Sequence, residues 1–168
     1  ALIRHASTEA GLGDPPGYRL DDCATQRNLS AAGREESRRI GERFRKEGVV
    51  VEKVFTSPWC RCRDTAMEAF GQADDWEALS SFFDRREREP ELTRRVKDRI
   101  GTYSTRRPKG TVVMVTHEIA SVFAVADRVL YLDGPARTST ALGTPHTLLH
   151  HGPSAVRDFM RPPMERAA

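Results

Sequence analysis

Short apolar runs alternate along this chain with longer charged stretches of helical periodicity. Ala1-Leu2-Ile3 stops abruptly at Arg4-His5, which reads as the end of a buried strand passing into a loop. Residues 6–28 carry Gly11, Gly13, Pro15, Pro16 and Gly17 and read as one long loop, of a length that is often functional. Ser30 offers an N-cap to a helix running to about Glu47, with Leu29, Ile40 and Phe44 on its apolar side and Glu35–Arg39 and Glu42–Lys46 as i,i+4 pairs. Gly48 ends it. Residues 49–55 are rich in β-branched side chains and predict a second strand. Ser57 as N-cap and Pro58 at the first helical position then predict a second helix, stopped by Gly71 after Phe70. Residues 79–83 predict a short strand, and residues 89–100 a charged amphipathic helix.

Residues 110–115, Gly-Thr-Val-Val-Met-Val, are the clearest buried strand, and they run into Thr116-His117. Residues 119–125 predict a helix and 128–132 a strand, with a turn at Asp133-Gly134-Pro135. Thr144-Pro145 opens a short helix ending near Gly152, and a last helix covers about 154–160. Strands and helices alternating at this spacing predict an α/β fold of three layers, with a largely parallel central sheet flanked by helices. A length of 168 residues suits one domain, 1–168, in which residues 118–168 complete or are appended to residues 1–117.

The charge balance, 27 Lys+Arg against 24 Asp+Glu for a net +3, is interspersed and gives no nucleic-acid footprint. Cys23, Cys60 and Cys62 lack metal-ligand spacing, because one residue rather than two separates the last pair. Their odd number argues for free thiols in a reducing, cytoplasmic setting. No apolar run reaches the roughly 18 residues that span a bilayer, so no transmembrane segment is expected. The chain opens on Ala1 without Met, consistent with a leader or a longer first strand upstream. His146 and His150 are i,i+4 on a short helix, a spacing that can hold a metal, although His146, His150 and His151 read first as surface residues.

In an open α/β sheet, loops at the carboxyl ends of strands converge on the ligand crevice. Arg4 and His5 close the first strand, Arg61 lies one turn into the helix after the second, and His117 closes the strongest one. Such a group suits a phosphoryl moiety, whose charged oxygens are best held by guanidinium forks and helix amides. A neutral imidazole among them can attack phosphorus and form a covalent intermediate that water resolves. A general acid for the leaving group would come from Asp84, Glu87 or Glu89, or from Glu118 beside His117.

Arg4-His5-Ala6-Ser7-Thr8 resembles the Arg-His-Gly-x-Thr signature of the histidine phosphatase superfamily, which includes the phosphoglycerate mutases. Residues 26–34 resemble that family's loop-to-helix segment, Ser57-Pro58-Trp59-Cys60-Arg61 with Thr65-Ala66 its second motif, and Val115-Thr116-His117 its second histidine motif. The resemblance covers about residues 1–117. It implies a metal-independent hydrolase with no cofactor, acting on a small phosphorylated substrate or a phosphoprotein carrying phosphohistidine. It implies His5 as nucleophile, with Arg4, Arg61 and His117 holding the phosphoryl group.

Residues from about 111 to 161 bear a second resemblance. Val115-Thr116-His117-Glu118, then Ala126-Asp127-Arg128 and a strand, are similar to the switch-histidine end of an ABC-transporter ATPase, and residues 143–149 and 156–159 extend the likeness. This implies a chimera whose tail adds a helix and an edge strand to the sheet, and an association with an ABC transporter. No G-x-x-x-x-G-K-[ST] segment occurs anywhere, so the tail cannot bind ATP by that device. The alternative to an enzyme is an inert α/β interaction module or an ATPase remnant.

Overall fold

The structure, a computed structural model, describes residues 1–11, 13–81, 86–106, 111–116, 119–133 and 138–161. Residues Ala1–Glu118 and Ile119–Ala168 form two compact units.

The first unit is an α/β layer structure. Its strands are β1 (Leu2–Arg4), β2 (Val51–Thr56), β3 (Asp74–Asp75) and β4 (Thr111–Thr116), and its helices α1 (Ala31–Lys46), α2 (Cys60–Phe70) and α3 (Glu89–Arg106). The strands form one parallel sheet in the order β1-β4-β2-β3. Val54 pairs with Val113 and Phe55 with Met114, so strand alternation sends these pairs to opposite faces. Val54, Val113 and Val115 pack with Trp59, Cys62 and Ala66 around α2, joined by Ile3 and Phe44. On the other face, the Phe55 ring meets Trp76 at 5.5 Å and Tyr103 of α3 at 5.7 Å. The chain order explains the division: β1 to β2 and β2 to β3 step one way across the sheet, and the return to β4 steps back. Right-handed crossovers therefore put α1 and α2 on one face and α3 on the other.

Local chemistry accounts for several helix ends. Ser30 Oγ accepts from Gly33 N at 3.1 Å, and Gly48 and Gly71 take φ of 68° where α1 and α2 stop. The buried face of α1 is Gly33, Ser37 and Gly41, not the expected line of Ile40 and Phe44, which are half-buried. Small side chains let the helix backbone approach its neighbours closely. The α2 helix begins at Cys60 with Trp59 as N-cap, not at Ser57 and Pro58. The Ser57 amide instead donates to Val115 O at 2.9 Å, extending the sheet one residue beyond β2. The strand expected at 79–83 is, over its described part, the end of a 3-10 turn, Glu77–Leu79. There Leu79 is buried and its carbonyl accepts from Thr116 Oγ1.

The expected set of thiols is also corrected, because Cys23 and Cys60 form a disulfide across 37 residues while Cys62 is a buried thiol outside it. Closing a loop of that length is worth about 4 kcal/mol in a chain-entropy account.

The second unit holds α4 (Ile119–Val125), β5 (Val129–Asp133), β6 (Thr138–Gly143), α5 (Pro145–His151) and α6 (Ser154–Met160). Leu148, Val156 and Met160 form its core, with Phe123, Val129, Tyr131 and Phe159 packed against them. Thr144 Oγ1 caps α5 by accepting from Thr147 N. Among the described residues the tail adds no edge strand to the parallel sheet: β5 pairs antiparallel with β6 in a two-stranded sheet. No helix among the described residues is long and apolar enough to cross a membrane.

Candidate functional site

The carboxyl end of the parallel sheet carries the candidate chemistry. His5 directly follows β1, and its amide donates to Thr116 O of β4 at 3.1 Å, which ties the residue after one strand to the last residue of its neighbour. The next amide, Ala6 N, donates to Thr65 Oγ1 at 3.0 Å, and that hydroxyl donates to Arg61 O at 2.7 Å. Two hydrogen bonds thus couple the segment after β1 to the first turn of α2. Ser7 N and Ser7 Oγ both donate to Glu36 of α1, at 3.0 and 2.9 Å.

His5 Nδ1 lies 2.8 Å from Ala6 O. A carbonyl oxygen can only accept, so Nδ1 carries the hydrogen and Nε2 carries the lone pair. Burial, above all, pushes the imidazole down to about 3, and the cationic Arg4, Arg61 and Arg27 add to the effect, against an upward pull from the Ala6 hydrogen bond. The ring is therefore neutral at physiological pH and has the lone pair a nucleophile needs.

Arg61 is buried, with a side chain 6% exposed. Its guanidinium carbon stands 4.4 Å from the Trp59 ring centroid, and Trp59 is in turn met by Tyr18 at 4.8 Å. Nη1 of Arg61 donates to both oxygens of Asp14, at 2.9 and 3.1 Å. Asp14 Oδ1 also accepts from Arg27 N at 2.9 Å, and Arg27 Nη1 donates to Gly11 O at 2.5 Å. The long loop between β1 and α1 is thereby drawn onto the start of α2. Gln26 adds a further tie, since its Oε1 accepts from Cys60 N at 3.0 Å.

Of the residues singled out from sequence, His5, Arg4 and Arg61 thus share one electrostatic site. His117, Asp84 and Glu118 lie outside the described residues. Glu87 and Glu89 are exposed, in the 3-10 turn before α3 and at its start. Asp14 and Arg27 escaped the sequence reading. Asp14 sits in a loop with no periodicity, and only its position before Pro15-Pro16-Gly17 marks a rigid turn; Arg27 was visible only within a longer segment. In the second unit His146, His150 and His151 are exposed, as read from sequence, with the His146 and His150 rings 6.5 Å apart.

Residues 1–80 match the family profile of the histidine phosphatase superfamily (branch 1). Among solved structures, the chain is similar to the protein histidine phosphatase SixA complexed with tungstate. That likeness has a TM-score of 0.57 and 17% identity, and covers 88% of this chain and 97% of that one. It is also similar to a structure assigned as an alpha-ribazole-5'-P phosphatase from Escherichia coli K-12, with a TM-score of 0.51 and 17% identity over 81% of each chain. A third, assigned as the phosphohistidine phosphatase SixA from Agrobacterium tumefaciens, gives 0.50 and 20% identity over 73% of each. No curated protein matches the chain in sequence. At these identities the likeness shows the fold. The resemblance of residues 111–161 to an ABC-transporter ATPase finds no support in these matches.

Proposed function

We propose that this chain is a histidine phosphatase that hydrolyses a phosphomonoester or phosphohistidine without a metal. The observation that carries the reading is His5: neutral, tied through Nδ1 to Ala6 O, and subject to the charges of Arg4, Arg61 and Arg27. Nε2 of His5 forms a bond to phosphorus as the bond from phosphorus to the leaving oxygen or nitrogen breaks. The leaving group takes its proton from water or an acid. Water then attacks the phosphohistidine, the P–N bond breaks, and orthophosphate departs.

Arg4 and Arg61, joined by Arg27, stabilise the equatorial oxygens as charge spreads over them in the transition state. Three guanidinium groups less the Asp14 carboxylate leave a site that matches a phosphoryl group of about −1.5 to −2 charge. His117 is proposed as a further phosphoryl ligand, because it follows Thr116, whose carbonyl already binds the His5 amide. Asp84, Glu87 and Glu118 remain the proposed acids for an oxygen leaving group. The Arg61-bound carboxylate of Asp14 is better suited to orienting Arg61 than to donating a proton.

A cytoplasmic setting belongs to the same proposal; there a disulfide is usually transient or redox-sensing rather than permanent. Hydrolysis of an aryl phosphate in excess chelator tests the reading. Wild type is expected to turn over, and His5→Ala to lose at least about 10³-fold in kcat, since removing a nucleophile can cost up to about 10⁶-fold. Equal rates would refute the enzyme reading and leave an inert module.

A further inference from the structure

The Cys23–Cys60 bridge joins the loop that carries Asp14 and Arg27 to the first residue of α2, immediately before Arg61. We propose that this pair is a thiol–disulfide exchange site, through which a low-molecular-weight thiol or a dithiol protein controls phosphate binding. The proposal rests on the reading of the phosphate site given above.

The two sulfurs are not equivalent. Cys23 is exposed in its 3-10 turn, Cys23–Thr25, whereas Cys60 is fully buried. An incoming thiolate therefore reaches Cys23 Sγ, and Cys60 is the leaving group. Cys60 opens an eleven-residue helix and precedes a buried arginine. Helix amides and a neighbouring cation both favour the departure of Cys60 as thiolate, against the cost of its burial. Cys62 takes no part, because burial pushes its thiol up to about 12.

The steps balance. The attacking thiolate forms an S–S bond to Cys23 as the Cys23–Cys60 bond breaks and Cys60 departs as thiolate. A second thiol, or the other sulfur of a dithiol, attacks the sulfur of the first and frees Cys23. Two thiols are oxidised to one disulfide, the protein disulfide is reduced by two electrons, and two protons pass from the reductant thiols to the cysteine pair. Oxidation is the reverse.

Reduction removes the covalent tie between loop and helix. The loop is then held at α2 by the Asp14–Arg61 pair, the Gln26–Cys60 hydrogen bond and the Tyr18–Trp59 contact. Without that tie the loop holds Asp14 and Arg27 less firmly at Arg61, which weakens the binding of an anion without touching the His5 nucleophile.

The test equilibrates the intact protein in glutathione buffers of graded reduced-to-oxidised ratio. Alkylation followed by mass measurement counts free thiols, and aryl phosphate kinetics with inorganic phosphate inhibition read the site. The expected result is a rise of about tenfold in KM and in the phosphate inhibition constant on reduction, with a much smaller change in kcat. Its midpoint should coincide with that of the thiol titration, and trapped glutathione should sit on Cys23. Cys23→Ser should show the reduced values at every ratio; thermal melts of this variant and of reduced wild type confirm that both are folded at the assay temperature. Unchanged phosphate affinity across a completed thiol titration, a Cys23→Ser protein that still responds, or an adduct on Cys60 overturns this proposal alone. An oxidised protein that neither binds phosphate nor turns over substrate overturns the phosphatase reading, and this proposal with it.

Discussion

Replacing Gly33 by alanine would drive a methyl group into the segment that carries His5. An ideal Cβ at position 33 lies 1.9 Å from Ser7 O and 2.9 Å from Ser7 C, where ordinary contact begins at 3.4 Å. Either α1 or the Ser7 carbonyl must therefore retreat by about 1.5 Å. That carbonyl accepts from Ser30 N at 3.1 Å, and the retreat strains this bond at the N-terminus of α1. Overpacking costs about 1–3 kcal/mol and a weakened hydrogen bond up to about 1 kcal/mol, against a helix-propensity gain of at most about 1 kcal/mol. The net loss of about 1–3 kcal/mol lowers Tm by about 3–10 °C for a chain of this size. Gly101→Ala supplies the control. It makes the same substitution in α3, with nothing within 4 Å of the added carbon, and should raise Tm by about 1–3 °C. Thermal unfolding followed by fluorescence reports on the right unit, since Trp59 and Trp76, the two tryptophans of the sequence, both lie within Ala1–Glu118. Aryl phosphatase kcat should fall with Gly33→Ala, because Ser7 is two residues from His5. A Gly33→Ala protein at least as stable as wild type would refute the reasoning.

Two further outcomes concern charge at the site. The His5 imidazole resonance, identified by its loss in His5→Ala, should show no protonation midpoint between pH 8 and about pH 4; a midpoint near 6.5 would contradict the burial argument. Unfolded histidine takes up its proton near 6.5 while the folded ring stays neutral to about 3. The stabilising contribution is thus complete above pH 6.5 and is lost as pH falls toward 3. Partial solvent access discounts it, so wild type should lose roughly 1–2 kcal/mol more than His5→Ala between pH 7 and pH 4.5 in urea unfolding. Asp14→Asn keeps an acceptor at Arg61 but removes the paired charge that orients its guanidinium, and should weaken inorganic phosphate inhibition by about three- to tenfold. Tighter inhibition in a protein that melts like wild type would show that Asp14 competes for Arg61 rather than orienting it.

Legibility in the sequence followed the range of the interaction. Ser30 and Thr144 could be read as caps because each hydroxyl binds an amide three residues away. Alternation and β-branching marked β2 and β4, and the order of strands and helices implied the parallel sheet. Ser57 shows where local rules stop: its sequence favours a cap, yet its amide completes a ladder to Val115, a residue 58 positions later in the chain. The apolar run at Leu79 was similarly claimed by a buried 3-10 turn against β4.

What the sequence alone determined, then, was an α/β chain with Arg4, His5 and Arg61 at or just beyond the carboxyl ends of its strands, because periodicity and capping are decided by near neighbours. Only the tertiary structure decided that Asp14 sits on Arg61, that Arg27 joins the charges around His5, that Gly33 and Gly41 form the docking face of α1, and that Cys23 meets Cys60. Each of these depends on the path of a 23-residue loop or on the close approach of two backbones. The side chains involved carry no periodic signature, and their partners lie far along the chain.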